Sequence, residues 1–120
     1  MEKLNERSFK HKVFDFAANE DWKFVGERPC IVDFYADWCG PCRSLTPVLE
    51  EVANQHHGEV DIYKIDTDAE QKLAGMFGIS SIPSLLFIPK DGKPQMTRGA
   101  LPKAEIEKLI REVLGVGVKS

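Results

Sequence analysis

The sequence predicts an α/β domain built on a mixed sheet with helices on both faces. Three observations predict it. Cys30–Tyr35 (CIVDFY) and Ser84–Ile88 are short, nearly continuous apolar runs, as expected of central strands covered on both sides. Segments of helical period alternate with the strands of the first half, which implies parallel strands joined by right-handed crossovers. Asp91-Gly92 is a hairpin signal, so the strand that follows it returns antiparallel.

The elements follow in order. Val13-Phe14-Asp15-Phe16 alternates weakly and reads as a short strand, and Ala18 to Phe24 as a brief helix. After the strand Cys30–Tyr35, residues Pro41 to His57 form a helix. Its Leu45, Val48, Leu49 and Val52 fall at i, i+3, i+4 and i+7, and Gly58 stops it. Pro47 inside it removes one ladder bond and should kink it. Val60 to Ile65 alternates as a strand. Asp68 is placed to cap a helix running through Leu73, Met76 and Phe77 to Gly78. Beyond the hairpin, Gln95 to Gly99 is the returning strand. Pro102 opens a last amphipathic helix through Ile106, Leu109, Ile110 and Val113, which ends at Gly115. The domain is expected over residues 12–114, with an N-terminal extension at 1–11 and a flexible tail at 115–120.

Bulk composition excludes several function classes. A chain of 120 residues is one domain, long enough to bury a core without disulfide staples. Apolar residues make up 42% and charged residues 29%, ordinary for a globular protein. A net charge of −3 gives no electrostatic footprint for nucleic acid. No apolar run reaches the ~18 residues of a membrane span. The opening MEKLNERSFKHK lacks the apolar stretch of a signal peptide, so the expected location is the cytoplasm, or the periplasm if a signal was removed. Three cysteines do not make a disulfide-rich scaffold.

The chemistry concentrates in Ala36-Asp37-Trp38-Cys39-Gly40-Pro41-Cys42-Arg43. A Cys-x-x-Cys pair could be half of a zinc site, a staple or a redox dithiol. Structural zinc needs four ligands. Cys30 starts the strand whose far end leads to Cys39, roughly 20 Å away at about 3.3 Å per residue. His56 and His57 close the helix that Cys42 opens, again about 20 Å off at 1.5 Å per residue. A permanent staple across so small a loop contributes little. The redox reading has a mechanism. Pro41 suits a helix start, so free amides and the positive helix end face the Cys39 sulfur. Lowering a thiol pKa from about 8.5 to about 7 takes roughly 2 kcal/mol, within reach of such a terminus. Cys39 is then the exposed attacking thiolate, and Cys42, one turn in, the resolving thiol.

The motif WCGPC after VDFYA resembles the active site of the thioredoxin family. The likeness continues through Pro47, Lys64, Asp66, the stretch Gly78-Ile79-Ser80-Ser81-Ile82-Pro83, Asp91-Gly92 and Gly99-Ala100-Leu101, and covers roughly residues 12 to 114. The resemblance implies a five-stranded mixed sheet of strand order 1-3-2-4-5 flanked by four helices. It implies reduction of protein disulfides, with electrons from an NADPH-dependent flavoprotein reductase or a membrane donor. It implies a cis bond between Ile82 and Pro83 against the cysteines, with the Ile82 backbone offered to an extended substrate. Asp33, if its strand is central, is buried and raised in pKa by desolvation, and in the family this position exchanges a proton with the buried cysteine. Lys64 is its charge neighbour. Trp38, Gly40, Pro41, Ile82, Pro83, Arg98 and Gly99 are the expected substrate-binding rim.

Three positions depart from the family pattern: Tyr35 and Arg43 stand where Trp and Lys are frequent, and Arg98 where an apolar residue is common. Cys30 is expected to be structural, and His56 and His57 ordinary cations at a helix end. No cofactor or metal site is visible, and a monomer is expected. The rival readings are an oxidase or isomerase of the same fold, and a binding module that uses the same surface without turnover. Gly40-Pro41 place no histidine between the cysteines to stabilise the reduced thiolate, which speaks against the first.

Overall fold

The computed structural model describes residues 1–117. Five strands and four helices run in the order β1 (Glu2–Lys3), α1 (Glu6–Lys12), β2 (Cys30–Tyr35), α2 (Gly40–Gln55), β3 (Asp61–Asp66), α3 (Gln71–Met76), β4 (Ser84–Ile88), β5 (Gln95–Arg98) and α4 (Lys103–Glu112). The sheet order is β1-β3-β2-β4-β5, as the resemblance implied. The strands β1, β3 and β2 are mutually parallel, and β4 and β5 are antiparallel additions.

The sheet divides two cores. On one face Ile31, Ile62, Leu85 and Phe87 meet Leu45, Leu49 and Val52 of α2 and Ile106 and Ile110 of α4. On the other, Val32, Phe34, Ile65 and Leu86 meet Phe9 of α1 and Leu73 of α3. Strand alternation produces this split, because neighbouring residues of one strand point to opposite faces. With both faces covered, β4 is buried along its whole length and β2 up to Tyr35.

The N-terminal quarter differs from expectation. Residues 1–11, expected to extend beyond the domain, supply β1 and most of α1, and bury Leu4 and Phe9 in the core. Asn5 caps α1 reciprocally with Ser8. Val13–Phe16 is not a strand. It is the C-terminal end of α1 and a turn, and its alternation reflects Phe14 and Phe16 packing against the core on either side of Asp15. Residues 18–24 are not helical, because the Asp15 carboxylate takes the amides of Ala17 and Ala18 in a local turn. Nor does Asp68 cap α3, whose N-cap is Glu70 without a side-chain bond. His56, expected as an ordinary residue of the helix end, is buried, and its Nε2 lies 2.8 Å from Glu107 Oε2, which ties α2 to α4. Of the expected tail, Val116 still bonds back to the Ile110 carbonyl, and residues 118–120 lie outside the described residues.

Candidate active site

The reactive turn forms where β2 leaves the sheet at its carboxyl end. The Cys39 amide closes the turn on the Ala36 carbonyl at 3.1 Å. Cys39 is the N-cap of α2, and its Sγ accepts the Cys42 N–H at 3.2 Å. Four amides at a helix start lack intrahelical acceptors, so a sulfur placed there receives one of them along with the positive helix end. Gly40 and Pro41 are the first two helical residues, where the missing proline N–H costs nothing. A Cβ at Gly40 would meet nothing within 4 Å. Further on, Pro47 cannot donate to the Arg43 carbonyl, and Thr46 Oγ1 bonds the Cys42 carbonyl at 3.2 Å in the same stretch.

Cys39 and Cys42 form a disulfide, with Cα atoms 5.3 Å apart. They pack with Ala36 and against Tyr35 and Ile82. Cys39 is 4% exposed and Cys42 2%. Cys39, expected to be exposed, is joined inward to Cys42 and flanked by Ile82, so in the disulfide it shows only a narrow edge to solvent. The Ile82 carbonyl lies 3.9 Å from Cys39 Sγ, a hydrogen bond only when that sulfur carries a proton. The Ile82–Pro83 peptide is cis. Gly99, at a φ of 91° that favours glycine, donates its N–H to the Pro83 carbonyl at 2.8 Å. Arg98, the last residue of β5, pairs with Ser84 and is exposed.

Beneath the turn lies Asp33, 2% exposed. Its alternation with Ile31 puts it on the face that α2 covers. One carboxylate oxygen, Oδ1, has no hydrogen-bond partner. Burial pushes its pKa up to about 7, against which the nearby Lys64 charge pulls it down. Lys64 stands opposite Asp33 on β3. By contrast Cys30, at the other end of β2, is a buried free thiol whose pKa burial raises well above the ordinary range.

Two groups at the site escaped the sequence reading. Trp38 is 69% exposed, and its indole N–H donates to Asp68 Oδ2 at 2.8 Å. That bond fixes the ring as a wall of the rim. Asp68 follows β3 at the carboxyl edge of the sheet, beside the end of β2, where ligand sites of α/β sheets gather. That position was the available signal. Tyr35, noted only as a departure, carries the Lys64 ammonium over its ring at 5.5 Å.

Comparisons with known proteins agree with this geometry. The thioredoxin family model matches residues 2–112. The chain is 44% identical over 112 residues to a thioredoxin of Borreliella burgdorferi, covering 93% of this chain and 96% of the relative. It is 34% identical over 111 residues to thioredoxin 1 of a Nostoc species, covering 92% and 94%. A crystal structure of chloroplastic thioredoxin z superposes with a TM-score of 0.80 at 32% identity, over 97% of this chain and 96% of that one. The family match begins at residue 2, so it includes the β1 and α1 that the residue-12 boundary left out. A dithiol able to close on itself at a helix start, on this sheet and with these relatives, makes the chain a member of the thioredoxin family, an oxidoreductase that acts by thiol–disulfide exchange with protein disulfides and is reset by a reductase.

Proposed function

We propose that Cys39 is the attacking nucleophile and Cys42 the resolving thiol of a protein disulfide reductase. The observation that carries the assignment is the Cys42 amide donating to Cys39 Sγ at the start of α2. A thiolate at that sulfur gains a charge-assisted hydrogen bond and the helix end. The Cys39 thiolate attacks a substrate disulfide, forms a mixed disulfide and expels one substrate thiolate. Asp33 then accepts the Cys42 proton, and the Cys42 thiolate attacks Cys39 Sγ. The second substrate thiolate leaves, the substrate has gained two electrons, and the Cys39–Cys42 disulfide is closed. Lys64 holds Asp33 within working range of neutral pH.

Trp38, Gly40, Pro41, Ile82, Pro83 and Gly99 frame the substrate groove, and Arg98 adds positive charge at its outer side. The reductant that reopens the disulfide is a flavoprotein drawing on NADPH in a reducing compartment such as the cytoplasm. The chain works as a monomer. The test is covalent trapping. Cys42→Ser should accumulate a mixed disulfide through Cys39, whereas Cys39→Ser should neither reduce nor trap. Equal trapping by both variants would reverse or abolish the assignment.

A further inference from the structure

A cleft of about 160 Å³ opens beside the disulfide, between Tyr35, Asp37 and Lys64 on the sheet side and Cys42, Arg43 and Thr46 on α2. It is the solvent-facing side of the resolving thiol. Charges around it are arranged across three strands. Lys3 of β1 is register-paired with Lys64 of β3, so two ammonium groups start from neighbouring backbone positions. Lys64 is in turn paired with Asp33 of β2, and Asp66 with Tyr35.

Like charges so placed repel, and Lys64 has a long flexible stem that could swing into water, away from Asp33. Tyr35 stands against that swing. Its ring face takes the Lys64 ammonium at 5.5 Å. We propose that Tyr35 is a positioning residue for resolution: its ring holds the Lys64 ammonium within electrostatic range of the Asp33 carboxyl. The consequence for catalysis rests on the reading of Asp33 given above.

The groups that could answer for Asp33 are few. On β3 the facing group is Lys64. On β4 the register partner is Leu85, which carries no charge. On α2 and its cap, Cys39 and Cys42 are closed as a disulfide, the Arg43 guanidinium lines the same cleft but donates outward to the Asp37 carbonyl at 2.7 Å, and Glu50 and Glu51 lie two turns further along the helix. Lys64 is accordingly the cation whose position Asp33 feels, and it pulls the Asp33 proton affinity down against burial. Asp37 and Asp66 act on Lys3 and Tyr35, at the outer end of the cluster.

The test titrates the Asp33 carboxyl in the oxidised full-length protein by carbon-13 NMR, in wild type, Tyr35→Leu, Tyr35→Trp and Lys64→Gln. Tyr35→Leu should raise the Asp33 midpoint by roughly half a unit, about threefold in proton affinity, the scale of one partly screened charge moved away. Lys64→Gln should raise it at least as much, the double variant no further, and Tyr35→Trp should restore it. A midpoint moved by Lys64→Gln and untouched by Tyr35→Leu overturns the proposal. The wild type alone supplies a second measurement should Tyr35→Leu fold poorly. The Lys64 Cε protons should resonate upfield under the Tyr35 ring current, and an unshifted signal also overturns it. The pH profile of mixed-disulfide decay separates the two layers. If the midpoint moves and the profile does not follow, Tyr35 still places Lys64, and it is Asp33-assisted resolution that fails.

Discussion

Asp33 sets opposing demands on one residue. Its carboxyl keeps a proton up to about pH 7 in the fold, against an ordinary value of 3.8. Between those values the folded chain binds more protons than the unfolded chain. Stability should therefore fall as pH rises from about 4 to about 7 and stay at the lower level above. Replacing Asp33 by Asn removes the group that must ionise in the interior. At pH 8 the variant should be more stable by about 2–4 kcal/mol, an advantage that shrinks towards zero near pH 4. Urea unfolding at both pH values measures this, and a wild type with the same stability at each would contradict it. Mixed-disulfide decay at neutral pH should slow in the same variant. The cysteines and Asp33 were legible in the sequence because their meaning is local: a spacing, a proline, an acid inside an apolar run. Asp68 and Lys3 were not, since each matters only through a partner on another strand or turn.

At the scale of elements, period decided what could be read. α2 and α4 repeat apolar residues over two turns or more, and β2 and β4 are apolar throughout, so each was visible. β1 has two residues, and α1 offers the single buried Phe9 among charged neighbours. Neither carries a period. What specifies α1 is its cap. Asn5 Oδ1 accepts the Ser8 N–H at 2.8 Å, and Ser8 Oγ accepts the Asn5 N–H at 2.9 Å. Asn5→Ala should cost about 1 kcal/mol, seen as faster amide exchange confined to β1 and α1. Uniform protection across α1 in that variant would show the cap to be idle. The join between α2 and α4 works differently. Glu107→Ala would leave the buried His56 ring without its Nε2 partner, while Nδ1 already lacks one. The loss expected in urea unfolding is about 1–3 kcal/mol, and a loss that His56→Phe fails to relieve would place its cause elsewhere.

For the whole molecule, the mixed sheet and the placing of the reactive turn beyond β2 follow from the alternation of strands and helices that the sequence already carried, whereas the strand order came from the family resemblance. The N-terminal boundary came from neither. Its information lies in Leu4 and Phe9, two buried side chains that fill one face of the sheet from outside the expected domain. Deleting residues 1–11 should therefore unfold the protein or bring its denaturation midpoint down by several kcal/mol of stability, since each large core side chain removed costs about 2–5 kcal/mol. A truncated chain that melts cooperatively at the wild-type temperature would restore the reading of these residues as an appendage.

Strand β2 carries a thiol at its first residue, and the turn beyond its last carries the reactive pair. The inner one, Cys30, is sealed and held protonated by burial, while Cys39 and Cys42 open and close. The molecule thus keeps a clean electron inventory. Each cycle moves two electrons, and no third sulfur is at hand to divert them into a scrambled isomer or a cross-linked pair of chains. A chromogenic thiol reagent added to the reduced native protein should count two sulfhydryls promptly, and the third only when denaturant is added.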